Sequence, residues 1–357
     1  MEDYTKTIKK VKELLAQNKG WHSQFEDHIN KLSSEHLSKF KEAKRLFYVT
    51  EPFHLYMNIN TAKSNADSLS AIVFELRFHG KSVAMVKVDL NKFKKEQNSD
   101  NAVFLSVKKP LTILTNTFKT AQMDKDLDTL IAYSKMKNIL WHGEEAKTFR
   151  KIYLDLEKKI NSDQNVRKSV GEPEHDMECE LLKNYSQKSS LGKEIPNIQP
   201  VTIGDTGARF QMPTPIKAST AKNGAENINY SDSRRSGGGI DILARIGNGK
   251  GTKLAVLELK DEYSPKEPPE KAMHQAVAYA TFIRELLRSN CGDKWWKFFG
   301  FGGNIPQKLE IKAIVVMPYD ANASTNFGGA KLPIDNDTIK LGYIYRSDIQ
   351  GNQKICI

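Results

Sequence analysis

The stretch IDILARIGNGKGTKLAVLELK, residues 240–260, decides the fold. Two runs of aliphatic and β-branched residues, 240–246 and 253–260, flank Gly247-Asn248-Gly249-Lys250-Gly251-Thr252, whose glycines and asparagine are turn formers. This predicts an antiparallel hairpin. Folding symmetrically about Gly249 and Lys250 sets Ile246 opposite Lys253, Ile242 opposite Leu257 and Asp241 opposite Glu258. Opposed residues share a face with their Cβ atoms about 5 Å apart. Lys260, two residues beyond Glu258, joins them by alternation.

Around these charges Ile242, Leu243, Ala244, Leu254, Ala255, Val256, Leu257 and Leu259 are apolar on both faces, as in a central strand pair covered above and below. Two carboxylates held together there repel each other and are costly to desolvate unless a cation lies between them. A divalent ion resolves the conflict, and an all-oxygen ligand set of carboxylates, phosphate and water is what magnesium prefers. The Lys260 ammonium can then orient or deprotonate an attacking water, or offset charge at a five-coordinate phosphorus.

The next apolar segment, residues 268–289, has helical spacing and opens with prolines. Gln275, Tyr279, Phe282 and Leu286 fall on one stripe of it, the stripe expected to be buried. A buried amide without a partner costs roughly 1–3 kcal/mol. Gln275 therefore either faces a substrate phosphate, a metal-bound water or the lysine, or caps a polar pocket in the core together with Tyr279.

Asp241 followed by Glu258-Leu259-Lys260 resembles the D…(D/E)-x-K signature of the PD-(D/E)xK, or restriction-endonuclease-like, nuclease superfamily, with Ile240 in place of the usual preceding proline. Gln275-Ala276-Val277-Ala278-Tyr279 is similar to the Q-x-x-x-Y element of its exonuclease-like branch. The resemblance covers roughly the C-terminal half and implies an α/β core of a helix, three strands, a helix and a strand, for which residues 173–317 supply the order. It implies metal-dependent hydrolysis of phosphodiester bonds, most simply in DNA, with Mg2+ or Mn2+ as cofactor. Asp241, Glu258 and the Leu259 carbonyl would hold the metal, Lys260 would assist the water, and Gln275 and Tyr279 would shape the site. The family also draws a carboxylate from its first core helix. Residues 173–185 read as that helix, and Glu178, on the face of Glu174, Leu181 and Tyr185, is the candidate, with an ordinary surface acid as the other reading.

Elsewhere the periodicity predicts helices over 4–16, 25–47, 127–141 and 144–160, and strands over 53–60, 69–78, 82–88 and 103–107, with His79-Gly80 as a hairpin turn. After helix 173–185 come strands at 199–203 and 208–212, a polar connection over 217–239, and further strands at 309–317 and 338–345. The aperiodic stretch 161–171 suggests an α+β domain of unknown role over 1–165 and the nuclease-like domain over 166–357. Arg234 and Arg235, before Gly237-Gly238-Gly239, either clamp phosphates or belong to a flexible connector. Trp295, Trp296, Phe298, Phe299 and Phe301 read as core filling in preference to base stacking. His175 and His274 lack zinc-ligand spacing.

The 357 residues suffice for two cores, and a net charge of +11 attracts polyanions, with nucleic acid the first expected partner. Three distant cysteines speak against a disulfide framework, and the absence of an apolar leader or an 18-residue apolar run predicts a cytoplasmic protein off the membrane. Two alternatives of other classes stay open: an inactive nuclease fold that binds nucleic acid, and a basic scaffold for a protein partner. Oligomeric state is not fixed by these patterns.

Overall fold

The computed structural model describes residues 2–32, 34–57, 71–95, 99–110, 121–162, 173–187, 195–202, 208–219, 224–231, 238–261 and 267–357. The chain opens with helices α1 (Glu2–Gln17), α2 (Gly20–Lys31) and α3 (Ser34–Arg45), then strands β1 (Phe53–Met57), β2 (Ala71–Phe78) and β3 (Lys81–Asp89). It continues with α4 (Leu90–Lys95), β4 (Val103–Val107), α5 (Ala121–Lys135), β5 (Ile139–Leu140), α6 (Glu144–Ser162) and α7 (Pro173–Tyr185). Short strands follow: β6 (Ile198–Pro200), β7 (Arg209–Phe210), β8 (Met212–Thr214), β9 (Ile216–Lys217), β10 (Asn229–Tyr230) and β11 (Gly238–Ile240). The last part comprises β12 (Ile242–Ile246), β13 (Lys253–Leu259), α8 (Pro269–Leu287), α9 (Gly292–Phe298), β14 (Glu310–Pro318), β15 (Lys331–Ile334), β16 (Asp337–Arg346) and β17 (Lys354–Cys356).

This mixed α/β chain divides into two compact units, one of Met1–Leu32, Glu180–Val201 and Gln211–Ile357, the other of Ser33–Cys179 and Thr202–Phe210. The boundary expected at residue 165 does not coincide with that division. Periodicity shows that a helix buries one face and is silent about what covers it, and α1 and α2 bury theirs in the unit that holds the hairpin.

In that first unit the described strands form a sheet in the order β15-β16-β14-β13-β12-β6, with β17 beside β16. β6, β12 and β13 are antiparallel neighbours, whereas β13, β14 and β16 run parallel. Parallel strands need a crossover connection, and α8 provides it between β13 and β14. The mostly apolar and largely buried β13 and β14 and the near-continuous burial of α8 fit a layer enclosed on both sides. α1 turns Tyr4, Ile8, Val11 and Leu15 inward, one helical stripe. Tyr4 Oη donates to the Glu270 carbonyl at 3.1 Å, and Thr7 Oγ1 meets His274 Nδ1 at 2.8 Å, which fixes α1 along α8. Phe25 of α2 packs on Phe282 and Trp295 with ring centroids 5.0 and 6.1 Å apart, and Trp295 Nε1 donates to the Phe25 carbonyl. At the start of β16 buried Asp337 takes Arg284, Arg288 and the Leu309 amide, so its charge is compensated by cations and a hydrogen bond.

In the second unit the sheet order is β5-β4-β3-β2-β1-β7. β2 alternates strictly, with Ile72, Phe74, Leu76 and Phe78 inward, and Phe149 and Tyr153 of α6 close over Phe53 and Phe78. His79 and Gly80 both have positive φ, 44° and 73°, the geometry that lets a two-residue turn match strand twist. The three cysteines are free, and among the described residues no helix is long and apolar enough to cross a membrane.

The helix foreseen over 25–47 is two helices, α2 ending at Lys31 and α3 beginning at Ser34, and the strand foreseen over 208–212 is interrupted at Gln211 between β7 and β8. Three further expectations need correction. The helix foreseen over 127–141 ends at Lys135, because Asn138 adopts a left-handed φ of 57° and Ile139 and Leu140 join β4. The strand foreseen over 240–246 is broken at Asp241, where the chain leaves β8 and joins β13. The connection over 217–239 contributes to two short ladders, β9 with β10 and β8 with β11. Residues 58–60, 69–70, 163–171 and 203, and Arg234, Arg235 and Gly237, lie outside the described residues.

Candidate functional site: an acidic pair and a lysine at the hairpin end

The hairpin has the register anticipated from its turn: Ile242 pairs with Leu257, Leu243 with Val256 and Ile246 with Lys253. Gly247, at φ 115°, makes the tight return possible, since a Cβ there would stand 3.0 Å from the Gly251 carbonyl. Continuing the register by one step brings Asp241 level with Glu258. At that step the backbone ladder stops, and the Asp241 carboxylate takes over: its Oδ2 accepts the Leu259 amide at 2.9 Å. A buried strand N–H needs an acceptor, so this contact fixes the carboxylate against β13.

Glu258 is completely buried, and Oε1 receives the Lys260 ammonium at 2.7 Å. Lys260 is itself 8% exposed and its amide continues the sheet to the Val316 carbonyl. A charge pair at this depth is desolvated, which makes each partner strongly dependent on the other.

α8 supplies the far wall. Gln275 and Tyr279 are buried one turn apart, and Gln275 Nε2 donates to Tyr279 Oη at 3.4 Å. Burial first, then the charges of Glu258 and Asp241, push the Tyr279 phenol far above its ordinary value. Tyr279 thus feels both carboxylates at once and stays protonated, a neutral donor beside an acidic centre. The Ala218 amide also reaches it. In the first unit, therefore, Asp241, Glu258, Leu259, Lys260, Gln275 and Tyr279 gather at one place.

Two contributors to this wall were not visible in the pattern. Gly238 lies so close that a Cβ would meet the Ile216 carbonyl at 2.6 Å and Tyr279 Oη at 3.0 Å. Ala218 acts through its backbone amide, which no side-chain pattern encodes. The glycine run 237–239 is the available signal, since Gly238 is a close-packing position.

Glu178 belongs to the second unit, where it is buried, accepts Tyr56 Oη at 3.0 Å and lies 3.7 Å from His175 Nδ1. Tyr56 is covered by Arg77, whose guanidinium is 4.0 Å from the ring centroid. A surface-acid reading of Glu178 is thereby corrected. His274 is bonded to Thr7 and faces Asp3, and burial, outweighing Asp3, holds its pKa below the ordinary value. Trp295, Trp296 and Phe299 are core residues, and Trp296 stacks on Phe301 at 3.9 Å.

An all-oxygen carboxylate pair with a lysine at its edge can hold a hard cation and present a proton-carrying group to a water beside it. No protein-family model, no curated protein and no solved structure matches this chain.

Proposed function

We propose that the chain is a metal-dependent nuclease of the PD-(D/E)xK kind that hydrolyses phosphodiester bonds in DNA. One observation carries this reading: Asp241 and Glu258 bring carboxylate oxygens within 4.8 Å of each other at the end of a buried hairpin, with Lys260 2.7 Å from Glu258. The element order supports it, since α7, the antiparallel trio β6, β12 and β13, the crossover α8 and parallel β14 follow the helix, three-strand, helix, strand sequence of that superfamily.

The donor set suits Mg2+ or Mn2+, because Asp241, Glu258 and the Leu259 carbonyl offer only hard oxygen atoms. When bound, the ion polarises the phosphoryl oxygen and acidifies a water. Asp241, anchored by the Leu259 amide, keeps its remaining oxygen in a fixed direction. Lys260 surrenders part of its bond to Glu258 and directs its ammonium to the water or the developing negative charge. Tyr279 and Gln275 donate hydrogen bonds from the helix side and limit water entry.

The test incubates purified protein with linear duplex, circular duplex, single-stranded DNA and RNA, each with Mg2+, Mn2+ or EDTA. Cleavage of DNA by the natural protein, lost with EDTA and in Lys260→Ala, is the expected result. Cleavage that persists in Lys260→Ala and in Asp241→Asn, or none under any condition, overturns it. In the latter case, absence of metal affinity by calorimetry would leave a nucleic-acid-binding module built on the same fold.

A further inference from the structure

On the opposite face of the same sheet the register places lysines abreast. Lys312 of β14 pairs with Lys340 of β16, and Lys340 pairs with Lys331 of β15. Such neighbours stand about 5 Å apart at Cβ, and like charges directly opposed cost stability. Glu258 is level with Val315 and Tyr343, three residues further along, so alternation puts the lysines on the other face and about 10 Å away along the strands.

These cations are poorly compensated. Lys312 and Lys331 form no ion pair among the described residues, and Lys340 Nζ donates to the terminal oxygen of Ile357 at 3.3 Å. Lys312 has its pKa lowered by burial and then by Lys340, with Lys253 acting in the same sense against Glu310 and Cys356. Lys331 is exposed and Lys312 and Lys340 are half-buried, as expected when aliphatic stems lie on the sheet and ammonium heads reach water.

We propose that Lys312, Lys331 and Lys340 form a phosphate-binding strip that grips the sugar-phosphate backbone of the nucleic acid. A row of cations on flexible stems about 4.8 Å apart gives successive phosphates of one nucleic acid strand a linear counter-charge, and the chain's net charge of +11 favours a polyanion. The identity of the polyanion rests on the nuclease reading. The strip positions substrate and takes no part in bond cleavage.

The experiment measures binding of a labelled 20-base-pair duplex to the full chain in EDTA over a salt series. It compares the natural protein with Lys312→Gln/Lys331→Gln/Lys340→Gln, and with Lys250→Gln/Lys297→Gln/Lys308→Gln as a control for net charge. Each lost phosphate contact lowers the slope of log affinity against log salt by about 0.9, so the strip variant should lose roughly 2 to 3 in slope and bind at least about tenfold more weakly at low salt. The control should keep the natural slope. Thermal melting of the strip variant should be unchanged or higher, since repulsion is relieved, which separates the effect from misfolding. An unchanged slope, an equal loss in the control, no duplex binding by the natural protein, or a loss seen only on anionic lipid vesicles overturns the strip. Failure of the nuclease reading appears separately, as absence of metal-dependent cleavage by the natural protein whatever the slope.

Discussion

Asp241 serves two ends, as the proposed metal ligand and as the acceptor for the Leu259 amide, and substitutions can separate them. Asp241→Asn keeps an oxygen for the amide but loses the charge, so cleavage should vanish while the melting temperature is nearly unchanged. Asp241→Ala should also abolish cleavage and cost about 1–3 kcal/mol of stability, the penalty for an unsatisfied buried N–H, read by denaturant titration. His79 offers a residue-level test in the second unit. Burial lowers its pKa, yet hydrogen bonds to Asp176 and Glu157 at 2.8 and 2.5 Å and their charges outweigh this and push it up to about 9. A raised folded-state pKa means stability fully present below about 6.5 and lost as pH rises through about 9. Melting temperature should therefore fall between pH 7 and 10 in the natural protein, and His79→Gln should flatten that dependence. A slope of equal size in the variant would refute the assignment.

Elements with one dominant signal were readable from the sequence. The hairpin register followed from turn residues and from burial on both faces, and α7 runs from Pro173 to Tyr185 as its opening proline indicated. The break at Asp241 was not readable, because Ile240 and Ile242 are both buried and nothing in an apolar run marks a change of partner strand. Helix 127–141 was over-extended because Ile139 and Leu140 continue the apolar spacing by chance while pairing with β4. Of the site, the charged trio was legible from spacing. The Gly238 and Ala218 contacts were not, since they depend on which backbones approach Tyr279. Gly238→Ala should disturb that packing and lower cleavage, and a matching loss in Ala218→Pro, which removes the amide, would tie the effect to the phenol. Phe25 tests the seating of α2: Phe25→Ala removes a ring set among Trp21, Phe282 and Trp295 and should cost about 3–5 kcal/mol by chemical denaturation.

The whole molecule is threaded, with its first unit drawn from three separate pieces of chain and its second from two. Sequence composition cannot reveal this, since a domain boundary guessed from a polar stretch presumes that each domain is continuous. A fragment of residues 166–357 lacks α1 and α2 and should expose the apolar side of α8 and aggregate, whereas joining residues 1–32 to it should restore a cooperative melt. Equal melting of the two fragments would contradict the assignment of the opening helices to the hairpin unit. The threading also governs the order of events at the ribosome. α1 and α2 emerge early with their apolar stripes unmet, and must wait while the intervening unit is made until α8 leaves the exit tunnel. Protease protection of arrested translation intermediates should therefore appear at Phe25 only once α8 has cleared the tunnel.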